Sequence, residues 1–488
     1  MNRSAELNFA GQLVRRLSPN SCLIDAATGE TVPSKDLPET VAGFAAGFLS
    51  AGLEPGDRIL IGCALSPSTA LAYLGAMYAG LVPVPFEQRD LPMCGEPVYA
   101  TTQAKGIWTG KEIKCEWTER LGVRHFTGYF DARPIDLLPP YPSAASDLAT
   151  LMPTSGSTGT PRLVMTSHGN LTANTEAIIR SQYLGSDERA MLILPLSYCF
   201  GASVLHTHLY QGGGVVFDSR FMFPDKVLRA INLHGCTTFA GVPTVYNILL
   251  GRSNFRSIPL PCLRRFLQAG GALAPKKVQQ MREVVPAAQF FVMYGQTEAT
   301  SRISCLPPQQ LEEKLGSAGV PLDNLLVRIV DDEGQEVPAG QTGEIWVKGP
   351  SICYGYFNDP EETGLKFQEG WLKTGDMASM DADGYLWITG RKGEFMKIRG
   401  VRVSFAEVET LVAQVHGVCE CAATSTAHPE AGEAIVLFIV PQSEATDIPA
   451  RVRGALPPHW TCTAMKLVGE LPKNANGKIS RPLLREMV

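Results

Sequence analysis

The sequence lacks the features of several large classes of protein. Its 488 residues hold 43 Lys and Arg against 48 Asp and Glu, a formal net charge of −5, so the basic excess of a nucleic-acid-binding protein is missing. It has no run of 18 uninterrupted apolar residues and therefore predicts no membrane span. Its first 17 residues include Glu6, Arg15 and Arg16 but no long apolar core, which argues against a signal peptide.

Two familiar chemical motifs are also missing. The twelve cysteines form no C-x-x-C pair, and the one close pair, Cys419 and Cys421, has no partners at zinc-site spacing. We therefore expect reduced, buried thiols and a cytoplasmic protein. The pattern G-x-x-x-x-G-K-[ST] does not occur, so the P-loop mechanism of kinases and GTPases does not apply.

The pattern of apolar residues predicts an α/β fold. A helix over 38–51, a strand over 57–65 and a helix over 69–79 are followed by a short strand at 82–85. This alternation is typical of parallel sheets covered by helices. Similar strand-like runs recur at 190–195, 214–218, 237–240 and 289–293.

The pattern changes after about residue 315. Strands at 327–331, 343–348 and 385–389, separated by turns, predict an antiparallel or barrel-like region. The last hundred residues predict a helix at 405–414, two strands and then a polar tail. We expect a large N-terminal domain of stacked α/β sheets with a β-barrel-like subdomain (1–390). A small, mobile α+β C-terminal domain (394–488) would follow a hinge near 391–393.

The loop from Thr154 to Arg162 is rich in groups that bind phosphate. It contains Thr154, Ser155, Gly156, Ser157, Thr158, Gly159, Thr160, Pro161 and Arg162. Glycine lets the backbone approach a phosphate closely, amides and hydroxyls donate to its oxygens, and an arginine adds a fixed charge. The alternative is a flexible linker; the apolar segments around the loop and its Pro-Arg end favour the binding site.

Two more segments combine residues that suit a nucleotide. Tyr294-Gly295-Gln296-Thr297-Glu298 follows a strand, where open α/β sheets place ligands. Its aromatic ring can stack on a purine, its threonine can bind phosphate, and its glutamate can hold Mg²⁺. Asp376 follows Thr374-Gly375, and its carboxylate can accept hydrogen bonds from both ribose hydroxyls. The alternative is an ordinary turn in each case.

Three further segments are ambiguous by themselves. The tiny residues Ala269 to Ala272 permit either close approach of a ligand or a tight turn. The basic run 390–409 reads equally as a solvated linker. A lysine eleven residues from the C-terminus, in Pro472-Lys473-Asn474-Ala475-Asn476-Gly477-Lys478, is ordinarily only solvated.

Taken in order, these motifs resemble those of the adenylate-forming superfamily. It contains acyl- and aryl-CoA synthetases, luciferase-like enzymes and the adenylation domains of peptide synthetases. The resemblance runs over nearly the whole chain, with its motifs between residues 151 and 478. Two residues depart from the pattern: Arg162 replaces the usual Lys, and Gly393 replaces the usual Asp or Lys of the hinge.

The resemblance implies a role for each matching residue. Lys478, Thr297 and Glu298 would be catalytic, with Glu298 also the Mg²⁺ ligand. The residues implied to bind ATP or the thiol are Thr154, Ser155, Gly156, Ser157, Thr158, Gly159, Arg162, Gly271, Ala272, Tyr294, Gly295, Asp376, Arg391 and Gly400. The residues implied to line the acyl pocket are Tyr198, Phe200, Gly201, Val242 and Gly270.

The implied activity has two steps. A carboxylic acid would attack the α-phosphorus of ATP to give acyl-AMP and pyrophosphate, and a thiol would then attack the acyl-AMP. Coenzyme A is the first choice of thiol, and the phosphopantetheine of a free-standing carrier protein is the second. Amino-acid adenylation domains carry Asp where this chain has Gly201, so the resemblance favours an aryl or aliphatic acid over an α-amino acid.

Other functional classes remain open. A non-catalytic nucleotide-binding scaffold would be expected to have lost Lys478, Glu298 or Asp376, and all three are present. A luciferase-like oxygenase shares the first step, and no residue tests for it. Release of AMP and pyrophosphate, rather than ADP and phosphate, separates these classes from an ordinary ATPase.

Overall fold

The computed structural model describes residues 7–130, 138–154, 161–442, 447–473 and 479–488. Up to residue 321, helices alternate with mostly parallel strands. In chain order, the elements are α1 (Phe9–Arg15), β1 (Cys22–Asp25), β2 (Thr31–Pro33), α2 (Leu37–Ser50), β3 (Arg58–Cys63), α3 (Pro67–Tyr78), β4 (Val82–Glu87), α4 (Leu91–Thr102), β5 (Gly106–Thr109), α5 (Glu116–Arg120), β6 (His125–Thr127), β7 (Leu148–Pro153), β8 (Leu163–Ser167), α6 (His168–Gln182), β9 (Arg189–Leu192), α7 (Cys199–Tyr210), β10 (Gly214–Phe217), α8 (Pro224–Leu233), β11 (Thr238–Gly241), α9 (Pro243–Arg252), β12 (Arg265–Gln268), α10 (Pro275–Val284), β13 (Gln289–Tyr294), β14 (Ser304–Cys305) and β15 (Val320–Pro321).

The largest sheet positions the site. Its strand order is β15-β14-β13-β12-β11-β9-β10-β1-β2. Strands β13, β12, β11, β9, β10 and β1 are parallel to their neighbours, whereas β14, β15 and β2 pair antiparallel. Four of these parallel strands, β9, β11, β12 and β13, therefore end at one common edge. Most of their residues are apolar and buried, as expected for a parallel sheet between helices.

A second, four-stranded parallel sheet has the order β4-β3-β5-β6. It packs close to the antiparallel hairpin of β7 and β8, whose connecting loop is the serine- and glycine-rich segment. Thr154 and Arg162 close that loop, because the Thr154 amide donates to the Arg162 carbonyl at 2.8 Å. The two ends of the proposed phosphate loop are thus held together at the base of a hairpin.

Antiparallel strands replace the α/β pattern after β15. These elements are β16 (Leu326–Val330), β17 (Thr342–Lys348), α11 (Pro360–Lys366), β18 (Phe367–Gln368), β19 (Trp371–Met380) and β20 (Leu386–Arg391). They form the sheet β16-β17-β19-β18, with β20 also paired to β19. The prediction of an antiparallel region was correct, and β19 carries the predicted ribose ligand Asp376.

The last segment has its own sheet. Its elements are β21 (Phe395–Ile398), β22 (Val401–Ser404), α12 (Phe405–Ala413), β23 (Val418–His428), β24 (Gly432–Pro441), α13 (Ile448–Ala455), β25 (Cys462–Leu467) and α14 (Arg481–Glu486). The expected polar tail was wrong: β25 joins the sheet, α14 contacts β23, and Val452 of α13 and Leu484 of α14 are buried. Helix α14 is only six residues long, too short for a helical hydrophobic period to stand out in the sequence.

The two largest groups of buried apolar residues lie on either side of residues 391–393. One runs from Phe9 to Leu386 and the other from Met396 to Trp460. The hinge predicted at 391–393 falls between them, and the domain boundary itself stays a prediction. Among the described residues, no helix has both the length and the hydropathy needed to cross a bilayer.

Candidate active site

The acyl side of the site, defined as Tyr198, Phe200, Val242 and Gly270, lies where β9, β11 and β12 end. Ligands of open α/β sheets bind at such carboxyl ends. Gly270 has φ +84°, which favours glycine, and a Cβ there would overlap the Tyr198 hydroxyl and lie 3.0 Å from Val242 Cγ1. The Phe200 ring lies 6.2 Å from the Tyr198 ring, edge to face. The structure therefore brings the four predicted pocket residues together.

Gly201 lies in the first turn of α7 and has no room for a side chain. A Cβ at this position would overlap the Pro195 carbonyl oxygen and lie 2.8 Å from the Leu194 carbonyl oxygen. Both atoms belong to the backbone, so they cannot move aside cheaply. With this backbone, the position cannot carry the aspartate expected of an amino-acid adenylation domain.

The nucleotide side, defined as Tyr294, Asp376 and Arg391, joins the two sheets. The Tyr294 hydroxyl donates to Asp376 Oδ2 at 2.7 Å, and Arg391 Nε donates to Asp376 Oδ1 at 2.8 Å. Asp376 and Arg391 are direct cross-strand partners of β19 and β20, while Tyr294 ends β13. Burial, reinforced by the Asp376 charge, raises the pKa of Tyr294, and the Asp376 charge raises the pKa of Arg391. Asp376 is thus an acceptor held by two donors.

Residues 295–302, which make up almost all of the connection from β13 to β14, form a loop that carries several of the predicted site residues. Gly295 is needed there because a Cβ would overlap the Ser301 carbonyl oxygen and lie 2.8 Å from Arg302 Cα. Thr297 is close enough to donate through its hydroxyl to Cys199 Sγ at 3.5 Å, which ties the loop to the start of α7. One end of the loop thus follows Tyr294 directly, and at the other end the Arg302 guanidinium lies 4.8 Å from the centre of the Phe200 ring.

Glu298 lies in the middle of this loop and is half-buried. Its Oε1 accepts a hydrogen bond from the Tyr356 hydroxyl at 2.7 Å, so the carboxylate is held in one orientation. Burial, together with the Glu298 charge, raises the pKa of Tyr356, which keeps the phenol as a donor. Mg²⁺ takes oxygen ligands and is commonly held by one or two carboxylates plus substrate phosphates. Glu298 fits that pattern.

Glu298 is not part of a cluster of metal-binding side chains in the described parts of the chain. No group of three or more His, Cys, Asp or Glu suited to a metal ion occurs in the described parts of the chain. A magnesium ion at Glu298 would therefore rely on phosphate oxygens for most of its remaining ligands.

Arg162, at the end of the phosphate loop, is held by acidic residues of α11. It pairs with Asp359 at 3.3 Å and with Glu362 at 3.2 Å, and its guanidinium lies 5.7 Å from the centre of the Tyr356 ring. Tyr356 thereby touches both Arg162 and Glu298. The predicted residues Ser155, Gly156, Ser157, Thr158 and Gly159 lie outside the described residues.

The remaining predicted residues occupy turns. Gly271 and Ala272 are exposed beyond β12, and the Gly271 carbonyl accepts from Gln268 Nε2 at 2.7 Å. Gly393 has φ +92° in the turn between β20 and β21, and Gly400 has φ +83° at the tip of the β21–β22 hairpin. Both have open space where a side chain would be. Lys478 lies outside the described residues.

Two kinds of residue were missed from the sequence. Tyr356, Asp359 and Glu362 lie almost 200 residues after Arg162 and belong to no motif that we recognised. Arg302 is buried at the end of the 295–302 loop, with its guanidinium 4.8 Å from the centre of the Phe200 ring. A signal for Arg302 did exist, because it is the one charged residue between Ala299 and Leu306.

Comparison with known proteins agrees with this geometry. Residues 15–357 match the family described as AMP-binding enzyme, and residues 407–478 match the AMP-binding enzyme C-terminal domain. A feruloyl-CoA synthase from an Amycolatopsis species is 32% identical over 483 residues, which cover 96% of each chain. A sulfoacetate–CoA ligase from Cupriavidus necator is 30% identical, over 89% of this chain and 88% of the relative.

Solved structures share the fold over the full length. An o-succinylbenzoate CoA synthetase from Bacillus subtilis, in complex with its acyl-adenylate intermediate, superposes with a TM-score of 0.86 at 25% identity over 98% of each chain. The family match extends over more than half of the chain, and the relatives cover nearly all of it. The chain therefore belongs to the family of AMP-binding enzymes, and it is an AMP-forming acid–thiol ligase.

Proposed function

We propose that the protein activates an aryl or aliphatic carboxylic acid with ATP and transfers the acyl group to coenzyme A. The observation that carries the proposal is the meeting of two sides at one sheet edge. A carboxylate suited to ribose, Asp376, is held by Tyr294 at the end of β13, and an apolar cluster suited to an acyl chain follows β11 and β12 at the same edge. The 295–302 loop starts next to Tyr294, and at its other end the Arg302 guanidinium lies 4.8 Å from the centre of the Phe200 ring. This arrangement would hold the acid and the α-phosphate next to each other.

In the first step, the chain's own residues mainly bind and orient. Asp376 accepts the ribose hydroxyls, Tyr294 contacts the adenine, and the 154–162 loop donates to the phosphates. Mg²⁺ bound through Glu298 would supply neutralising charge at the phosphate oxygens. Lys478 stabilises the charge that develops as the acid carboxylate attacks. Positioning and preorganised charge account for most of the acceleration in such a reaction.

In the second step, we propose that the C-terminal segment rotates about residues 391–393. Gly393 already has a positive φ and open space around its Cα, so it can change its dihedral angles with little strain. The hairpin tip at Gly400 then lines the path of the thiol, where glycine leaves room for a pantetheine arm. The relatives named above are CoA ligases, which supports coenzyme A as the acceptor.

The range of acid substrates is limited by which charged groups the acyl side can accept. The lack of room at Gly201 excludes the aspartate that would pair with an α-ammonium group, and the Tyr198–Phe200–Val242 surface is apolar. An unpaired ammonium buried in such surroundings is unfavourable by several kcal/mol. We therefore propose a carboxylic acid without an α-amino group.

The first test measures the two steps separately. Pyrophosphate release from ATP is followed over a panel of acids, and thioester formation is measured from synthetic acyl-AMP and CoA. Lys478→Ala should abolish pyrophosphate release yet retain thioester formation from supplied acyl-AMP. Equal loss of both activities would contradict the alternation of the C-terminal segment.

A second test identifies the acceptor. CoA and a phosphopantetheinylated carrier protein are offered separately at equal thiol concentration. We expect thioester on CoA. Transfer to the carrier alone would overturn the choice of CoA, while formation of ADP in place of AMP would overturn the proposed chemistry altogether.

A further inference from the structure

Arg302 is a buried cation without a counter-ion in the described part of the chain. It is 2% exposed, and the residues that interact with its charge are Cys305, Cys199 and Tyr198 rather than carboxylates. Its Nε is buried without a hydrogen-bond acceptor. The other buried arginine of this sheet, Arg265, is instead paired with Glu188.

The surroundings of Arg302 do not compensate for its burial. Its guanidinium lies over Phe200 at 4.8 Å, in a cation–π contact. One such contact offsets only part of the unfavourable free energy of taking a charged group out of water. Burial lowers the pKa of Arg302, yet a guanidinium stays protonated at neutral pH. Without a ligand, this cation is therefore not neutralised by any residue that the structure describes.

The backbone of Arg302 is fixed, so this placement is not an accident of a loose loop. Asn174 holds the residue at both ends: its Nδ2 donates to the Arg302 carbonyl at 2.9 Å, and its Oδ1 accepts from the Arg302 amide at 3.2 Å. Ile303 next to it donates to the Tyr294 carbonyl at 2.9 Å. The side chain leaves this anchor toward Phe200, which belongs to the acyl side.

We propose that Arg302 binds a second anionic group of the acid substrate, so that the protein activates acids carrying a carboxylate or sulfonate remote from the reacting carboxyl group. The inference rests on the proposed function, whose acyl side it occupies. A planar guanidinium binds such groups with two parallel hydrogen bonds. The same cation also repels an ammonium group, which agrees with the exclusion of α-amino acids at Gly201.

The test compares matched acids on matched variants. Benzoate is compared with terephthalate, and hexanoate with adipate, so that each pair differs in one remote carboxylate. The proteins are wild type, Arg302→Met, which keeps a similar volume without charge, and Arg302→Lys, which keeps the charge without the planar fork. Binding is measured by calorimetry with AMP present, and turnover by pyrophosphate release.

We expect wild type to prefer the diacid of at least one pair, and Arg302→Met to reduce that preference by about 10²-fold, because the diacid loses far more activity than its matched monoacid. Arg302→Lys should retain part of the preference. Arg302→Met without ligand should melt no lower than wild type, because the substitution removes a buried charge that lacks a partner. A lower melting temperature would indicate a structural role and overturn the proposal.

The two proposals fail in different ways. Equal use of mono- and diacids by wild type, or equal loss of both in Arg302→Met, would overturn the role of Arg302 while the ligase function stands. Arg302-dependent binding of a diacid without any pyrophosphate release would support Arg302 and contradict the proposed function.

Discussion

On the nucleotide side of the site, Asp376 is met by two donors, whereas on the acyl side Arg302 has no counter-ion among the described residues. The first side is complete before any ligand arrives, because ATP is the common substrate of the family and its contacts need not vary. The second side is unfinished by itself and is completed by the acid. Charged residues whose partners lie within the protein therefore mark the side that binds the common substrate, ATP. A charged residue without such a partner marks the side that selects the acid.

The largest effect is expected from a substitution on the nucleotide side, where the charged residue already has its partners. Asp376→Asn removes the charge that Arg391 and Tyr294 contact and that the ribose would contact. Hydrogen bonds to a charged group contribute about 1.5–3 kcal/mol each, so kcat/KM for ATP should fall by about 10²-fold. The control is Asp381→Asn. It removes a carboxylate that lies away from the site and pairs with Lys314 Nζ at a distance of 2.9 Å. An equal fall in both variants would contradict the role of Asp376.

The pH dependence of folding stability gives a second test, on the acyl side. Helix α7, which begins on the acyl side, buries His206 and His208, and burial lowers their pKa to about 3 and about 4. Below the unfolded-state pKa of about 6.5, the unfolded chain takes up protons that the folded chain does not, so stability decreases as pH falls toward 4. His208 alone accounts for about 3 kcal/mol of this loss.

Urea unfolding between pH 7 and pH 4 checks this dependence. His208→Gln keeps a donor but cannot titrate, so its stability should change less with pH than that of wild type. His459 is exposed, and His459→Gln should leave the dependence unchanged. The reverse order of the two variants would show that burial of His208 is not the cause.

A smaller change isolates one donor of the complete side. Tyr294→Phe keeps the aromatic ring and removes the hydroxyl that donates to Asp376. The lost hydrogen bond, to the charged Asp376, is worth at least about 1.5 kcal/mol, so KM for ATP should rise at least about tenfold with little change in kcat. Phenylalanine at this site with an unchanged KM would mean that Arg391 alone orients Asp376.

The smallest expected effect concerns the departure at Arg162. Its two ion pairs are partly exposed, and such pairs contribute about 1 kcal/mol or less each. Arg162→Lys restores the usual residue of the family, which reaches one carboxylate rather than spanning Asp359 and Glu362. Pyrophosphate release should change by less than about fivefold. A larger loss would place Arg162 in direct contact with the phosphates.

The sequence predicted the shared side better than the selective side. The α/β pattern and the strand ends gave the sheet edge, because hydrophobic periodicity depends on local spacing. The motifs then located Tyr294 and Asp376, although their hydrogen bond joins residues 82 positions apart. Neither hydrophobic periodicity nor motifs could predict that a charged residue is buried. In the sequence, Arg302 follows a turn and looks like an exposed loop residue.

The contacts of Arg162 were hidden for a related reason. They depend on how α11 packs beside the β7–β8 hairpin, and packing between distant elements leaves no local pattern in the chain. The polar tail was mistaken for the same reason, since α14 is only six residues long and one of them, Leu484, is fully buried.

The 295–302 loop also affects how the substrate specificity of such an enzyme can change by mutation. Gly295 and Asn174 fix the path of the backbone, and Glu298 and Arg302 then project from the same rigid support. A single codon change at position 302 would alter which acid is accepted without moving the carboxylate that serves the phosphates. New specificities are therefore reachable one mutation at a time, with the chemistry preserved at every step.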